Sequence, residues 1–280
     1  MREINVKEIT KAVKKICQDA NFILPDDVWQ KLKEAELTEE SSVGKEDLKQ
    51  IMENNRIAEE ERIPMCQDTG LACIFVEIGQ EMHITGGNLN DAINQGVREG
   101  YTEGYLRKSV VSDPLVRKNT NDNTPAMIHT EIVAGDKLKI TVLPKGGGSE
   151  NMSQVAMLPP SAGVEGVKKF VIDVVKKAGS NPCPPIVVGV GIGGSFDMVT
   201  YLAKKALLRP LDSSHPNKLY ADLEKELLEK INNLGIGPQG LGGRITALAV
   251  LIETYPCHIT AIPVAVNIQC HACRRYTVVI

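Results

Sequence analysis

Residues 184–208 read PPIVVGVGIGGSFDMVTYLAKKALL, and this stretch narrows the choice of fold more than any other in the chain. A short, β-branched apolar run of this length is a buried strand. The glycines after it turn the chain, and the amphipathic segment behind them is a helix. The same alternation recurs elsewhere. After a loop at PMCQDTG, the segment ACIFVEIG reads as a strand, and a helix is expected after Asn90 in DAINQGVREGYTEG. MIHTEIV and KLKITVL flank Gly135-Asp136 and are expected to form a hairpin. The second of these runs into PKGGGSEN. A helix is expected over 163–177. LYADLEKELLEKINNLG is amphipathic through Leu219, Leu223, Leu227 and Ile231, with Gly235 as its stop. RITALAVLIE is either a buried helix or a strand, and HITAIPVAVNIQC reads as a strand.

The first 60 residues differ. Ile9, Val13, Ile16 and Ala20 mark one helix face, Pro25 punctuates, and Trp29, Leu32 and Leu37 begin a second stripe. Residues 45–61 form a third, charged helix. The fold class is therefore α/β, a mixed sheet and helices with a helical N-terminal region. No internal repeat or long linker is visible. The chain stops at RRYTVVI, inside a strand-like run. Either that surface continues into another polypeptide, or the strand tucks into its own sheet.

A chain of 280 residues with a formal net charge of −3 lacks the basic balance that nucleic-acid binding needs. No apolar run reaches the roughly 18–20 residues that span a bilayer. The charged N-terminus is not a signal peptide. The expectation is a cytoplasmic protein with no membrane or nucleic-acid partner. The seven cysteines are odd in number, in a chain that is not small, so a disulfide framework is not expected.

Three cysteines lie in segments suited to ligation. Cys66 is in the loop 64–70, Cys183 is flanked by prolines in NPCPP, and Cys270 is in QCHACRR. Proline fixes φ, so the Cys183 loop is stiff. The spacing differs from the close Cys-x-x-Cys runs of ferredoxins and zinc ribbons. Lys145-Gly146-Gly147-Gly148-Ser149 and Gly189-Val190-Gly191-Ile192-Gly193-Gly194-Ser195 can each aim backbone N–H groups at an anion. The second also satisfies G-x-G-x-x-G, with Asp212 roughly 20 residues on, so a dinucleotide turn and a plain strand-to-helix turn both stay open. Arg107, Lys145, Arg244, Arg274 and Arg275 are cations that can hold a dicarboxylate. His258 is expected to enter an apolar strand. Zinc on Cys270, His271 and Cys273 is an alternative from a different class, a structural protein.

Taken together, PMCQDTG, PKGGGSENMS, NPCPP with VGVGIGGSFD, GPQGLGGR and QCHACRR resemble, in this order, the N-terminal cluster-binding half of class I fumarases. The resemblance runs from about Ile9 to Ile280 and makes residues 1–280 one catalytic domain, the alpha subunit of the two-chain form. It implies a hydro-lyase with a [4Fe–4S] cluster on three cysteines, Cys66, Cys183 and Cys270, leaving one iron open. It implies that Cys17, Cys73, Cys257 and Cys273 are structural. It places Gln67, Asp68, Arg107, Gly147, Gly148 and His258 at the substrate, with Asp68, Gln67 and His258 sharing in catalysis, His258 by reaching a neighbouring protomer. Fumarate is the expected substrate and tartrate, also a four-carbon dicarboxylate, the alternative. A beta subunit carries the rest of the active site, and a higher oligomer is expected.

Overall fold

The computed structural model describes residues 2–280. In chain order its elements are β1 (Arg2–Asn5), α1 (Val6–Phe22), α2 (Asp26–Thr38), α3 (Ser42–Glu61), β2 (Leu71–Gly79), β3 (Met82–Thr85), α4 (Leu89–Glu103), β4 (Met127–Val133) and β5 (Leu138–Lys145). There follow α5 (Gly147–Glu150), β6 (Gln154–Leu158), α6 (Gly163–Ala178), β7 (Ile186–Gly193), α7 (Phe196–Ala206), α8 (Lys218–Asn232), β8 (Ala247–Tyr255), β9 (Ile262–Gln269) and β10 (Tyr276–Val279). The class is α/β with mixed sheets, as expected.

The chain divides into two compact units. The first holds the residues up to Pro25, Asn54–Gly147 and Arg274–Ile280; the second holds Asp26–Glu53 and Gly148–Cys273. In the first, a four-stranded sheet runs β10-β5-β2-β4, and β1 pairs with β3 beside it. Asn5 caps α1 by accepting from the Lys7 N–H, and α1 buries the expected Ile9, Val13, Ile16 and Ala20. These pack with Ile93 and Val97 of α4 against Ile74 and Val76 of β2 and Ile140 and Val142 of β5. Each such side chain contributes on the order of 1.5–3 kcal/mol when fully buried.

In the second unit the sheet runs β6-β9-β7-β8. Val188 and Val190 of β7 pack with Val171 and Val175 of α6 and Leu227 and Ile231 of α8. The other side of the sheet meets Val199 and Ala203 of α7. RITALAVLIE is thus a strand from Ala247 onward, in β8, and is buried without a break from Ala247 to Ile252.

One expectation changes and one open alternative is settled. The segments around Gly135 are not a hairpin: β4 pairs parallel to β2 and β5 antiparallel to β2, so β2 lies between them. The terminal run is tucked into its own sheet, with β10 antiparallel to β5 and Ile280 exchanging backbone bonds with Leu138. A repeated pattern, invisible in the sequence, also emerges. Each four-stranded sheet has an inner strand (β2 or β7) with a parallel neighbour (β4 or β8) and an antiparallel one (β5 or β9).

One buried carboxylate organises the second unit. Glu39 is 2% exposed and accepts N–H groups from Glu40, Ser41, Arg244 and Ile245. Burial alone would raise its pKa, but these donors outweigh burial and hold it below the ordinary carboxylate value. A depressed folded pKa stabilises above the unfolded value, near 4.3, and that stability is lost as pH falls through the folded pKa. Glu39→Gln is expected to cost about 1–3 kcal/mol at pH 7 and to flatten the acid limb of the stability curve. Urea melts at pH 7 and pH 4 check this; an unchanged midpoint at pH 7 would show that the four bonds contribute nothing.

Candidate active site

Antiparallel pairing explains how distant loops meet. In the first unit β2 begins opposite the end of β5, with Leu71 against Lys145. The loop carrying Cys66, Gln67 and Asp68 therefore lies beside Gly146 and Gly147. The Asp68 carboxylate ties the two together: Oδ1 accepts the Gly70 N–H at 3.0 Å and Oδ2 the Gly147 N–H at 2.8 Å. The Asp68 N–H points at Cys66 Sγ, 3.4 Å away, and Cys66 Sγ donates to Gln67 Oε1 at 3.4 Å. The loop is pinned at both ends. Met65 N–H donates to Asn21 O at 3.0 Å, and Arg274 Nη2 donates to Asp68 O at 2.8 Å.

The same loop positions Arg107. Thr69 Oγ1 accepts the Arg107 N–H at 2.8 Å and donates to the Arg107 carbonyl at 3.1 Å. Below it, the buried Tyr101 hydroxyl donates to the carbonyls of Thr69 and Gly70, and Asn123 Nδ2 also donates to that of Gly70. The Arg107 side chain is exposed, and no carboxylate among the described residues pairs with it. An exposed guanidinium whose backbone is tied to Thr69, the residue after Asp68, is a ready partner for an incoming carboxylate.

In the second unit β7 begins opposite the end of β9, with Val187 against Gln269. The Cys183 loop precedes one strand and the Cys270 loop follows the other, so they are neighbours. His271 N–H donates to Cys183 O at 3.3 Å. Gln239, from the GPQGLGGR segment, donates both its backbone N–H and its Nε2 to Pro184 O at 2.8 Å. Cys183 itself has φ 55°. A non-glycine residue in the left-handed region is held there by its surroundings, a pattern frequent at functional sites.

The sequence model of the fumarate hydratase (Fumerase) family matches residues 10–279. The chain belongs to this family. It is 47% identical to a Methanocaldococcus jannaschii protein provisionally named as an L(+)-tartrate dehydratase subunit alpha, over 96% of each chain. It is 37% identical to the L(+)-tartrate dehydratase subunit alpha of Escherichia coli K12, over 98% of this chain and 91% of that one. The protein of the same name from Shigella sonnei gives the same figures.

Membership of this family implies an iron–sulfur cofactor in general terms, and the cysteines divide by exposure. Cys66 and Cys270 are half-buried and Cys183 and Cys257 are exposed, all four outside regular elements, while Cys17, Cys73 and Cys273 are buried. Burial pushes the Cys17 thiol up to about 12, which makes it a poor ligand. Accessible thiolates on stiff loops suit an iron–sulfur centre, whose ligands are cysteines. Among the described residues no three His, Cys, Asp or Glu side chains are gathered as the shell of a single ion. The zinc alternative on Cys270, His271 and Cys273 is therefore not supported by a gathered set of ligands. A cluster spreads its thiolates over several irons and does not need that shell.

Two other expectations are corrected. The glycines of β7 serve packing: a Cβ on Gly189 would lie 2.2 Å from Ala203 O, and one on Gly191 would lie 2.2 Å from Val199 O. The start of α7 is already served by the carboxylate of Asp197, which accepts from Ser195 Oγ, so it repels a phosphate. This removes the dinucleotide reading. Gly189→Ala is expected to destabilise by about 1–3 kcal/mol through overpacking, seen as a lower melting temperature; a variant that melts normally would reopen the question of what the glycine is for.

His258 is not in a strand. It lies exposed in the turn between β8 and β9, with Nδ1 2.8 Å from Thr260 Oγ1. The Gly147 N–H, expected to face substrate, is occupied by Asp68, which leaves Gly148 as the exposed glycine of that turn whose N–H is not so engaged. Lys145 is 1% exposed, and Arg244 lies 3.5 Å from Glu40. Thr69, Tyr101 and Gln239, which build the loops, were not singled out by the sequence; only the PMCQDTG and GPQGLGGR motifs containing Thr69 and Gln239 signalled them.

Proposed function

We propose that this chain is the alpha subunit of an iron–sulfur hydro-lyase that reversibly hydrates fumarate to (S)-malate, with residues 1–280 as its catalytic region. The observation that carries this is the grouping of Cys66, Gln67, Asp68 and the unpaired Arg107 on one hydrogen-bonded loop system. Cys66, Cys183 and Cys270 would hold a [4Fe–4S] cluster with one iron open. When bound, that cluster supplies a Lewis-acid position that polarises the substrate hydroxyl and a carboxylate.

The chain's own residues do the rest. The Arg107 fork binds a substrate carboxylate and sets its orientation. Gln67 is exposed and offers an amide to the same substrate. Asp68 moves the proton that hydration adds to carbon, or holds the group that does. The Gly148 N–H is a backbone donor for charge that develops on the carboxylate. His258 stands on an exposed turn next to Ile259, 88% exposed, which suits a reach into a neighbouring protomer within a higher oligomer.

The relatives' names, subunit alpha, support a separate beta subunit that completes the site. No helix among the described residues is long and apolar enough to cross a membrane, in keeping with a cytoplasmic enzyme. The relatives also favour a second reading, in which the substrate is tartrate and the product oxaloacetate.

One experiment tests both. The chain is co-expressed anaerobically with its beta subunit, iron and sulfide are measured, and fumarate loss and oxaloacetate formation are followed. About four irons per chain with fumarate consumption supports the first reading; preference for tartrate supports the second. A colourless, folded complex after anaerobic reconstitution refutes both. The alpha chain alone, loaded with cluster, is expected to show no turnover, and measurable activity there would remove the beta subunit from the site. Prolonged aeration should inactivate the complex.

A further inference from the structure

Arg274 is the largest fully buried side chain, at 1% exposure. A buried guanidinium is costly, and arginine cannot shed its proton to escape the cost. Its partners are few. Nη1 donates to Asn21 Oδ1 at 3.2 Å and Nη2 to Asp68 O at 2.8 Å. Nε is buried with no acceptor. No carboxylate among the described residues lies within ion-pair distance of it. The charge is permanent and desolvated, and no carboxylate among the described residues forms a direct ion pair with it.

Its placement is equally specific. Asn21 closes α1: its Nδ2 donates to Cys17 O at 2.9 Å and its carbonyl accepts the Met65 N–H. Asn21 therefore holds the residue before Cys66, while Arg274 holds the residue two after it and is itself anchored on Asn21. A Cβ on Gly146 would lie 3.3 Å from Asp68 Oδ2 and 3.9 Å from Arg274 Nη2, which puts the guanidinium behind the Asp68–Gly147 contact.

We propose that Arg274 is a positioning residue that fixes the Cys66–Asp68 loop through the Asp68 carbonyl and sets a permanent positive charge behind the anionic centre held by that loop. The inference rests on the cluster assignment above. The missing counter-charge is then supplied by the thiolate-bound cluster and the dicarboxylate. A fixed positive charge stabilises the more negative, reduced cluster, so it raises the reduction potential. It also makes the loop geometry depend on a two-pronged donor, which a lysine cannot reproduce.

The test uses the alpha–beta complex with cluster reconstituted anaerobically, and reads midpoint potential by spectroscopic titration together with kcat/KM. Arg274→Met is expected to lower the potential and to reduce kcat/KM about 10–100-fold. Arg274→Lys keeps the charge and loses the fork: its potential stays near wild type while kcat/KM still falls. Asn21→Asp keeps the acceptor for Nη1 and adds the absent counter-charge, so it lowers the potential with Arg274 intact. If Arg274→Met fails to fold, the other two variants decide. Potentials that match wild type in Arg274→Met and Asn21→Asp, with only a lower melting temperature, overturn the proposal and leave Arg274 a packing residue. A wild-type complex without any cluster would instead refute the functional reading itself.

Discussion

Asp68→Asn is expected to lower kcat by about 10²–10⁴-fold, the range for loss of a group that takes part in proton transfer, while the complex still folds. The carboxylate is placed by two backbone donors, the Gly70 N–H on Oδ1 and the Gly147 N–H on Oδ2. An asparagine of the same shape keeps one acceptor oxygen, but its NH2 must face the other donor. One bond is lost and one N–H is opposed, at about 1–3 kcal/mol. That cost loosens the turn where the loop meets the end of β5, so KM rises as well. Steady-state kinetics with a thermal melt separates the two roles. A variant that melts lower but keeps its kcat would make Asp68 purely structural and would shift the proton step to the beta subunit or to His258. Arg107 serves as the comparison. Its guanidinium has no protein partner among the described residues, so Arg107→Ala should raise KM without a comparable loss of stability.

How much of this was legible in the sequence follows from the range of the interactions involved. The helices were readable, because a stripe such as Ile9–Val13–Ile16–Ala20 is a local signal. So were β2 and β7, whose apolar runs are continuous. Strand partners were not. The glycine at 135 looks like a hairpin turn, yet the hydrogen bonds of β4 and β5 go to β2. Pairing is chosen by burial across the whole sheet, which no short window contains. For the same reason the shared strand pattern of the two units left no trace as a sequence repeat. The segments proposed to carry the site stood out as motifs, but the contacts that support them did not. Tyr101, Asn123 and Gln239 act on loops far along the chain, through single hydrogen bonds to carbonyls that leave no periodic mark. His258 was misplaced because the apolar residues around it imitate a strand; in the structure the run is broken at Pro256 and Ile259 points outward.

Cys183→Ser should leave a folded but colourless complex whose turnover falls to that of the cluster-free protein. The loop's shape is fixed by backbone contacts that a serine keeps: the Cys183 N–H donates to Ser180 O at 3.0 Å, the Cys183 carbonyl accepts from His271, and Pro184 O accepts from Gln239. The side chain is exposed, so exchanging sulfur for oxygen should change stability by no more than about 0.5 kcal/mol. What changes is the ligand. Iron–sulfur centres are held by soft thiolates, and a hydroxyl is a hard, weakly acidic donor. Loss of one of three thiolates removes the site without unfolding the chain. Cys257→Ser provides the control, because Cys257 is also exposed and lies in the turn after β8, where its thiol donates to Ala261 O. Its iron content should equal wild type. Iron and sulfide analysis with a visible spectrum on both variants decides the matter. Full iron in Cys183→Ser would take this cysteine out of the ligand set, and loss of iron in Cys257→Ser would bring that one in.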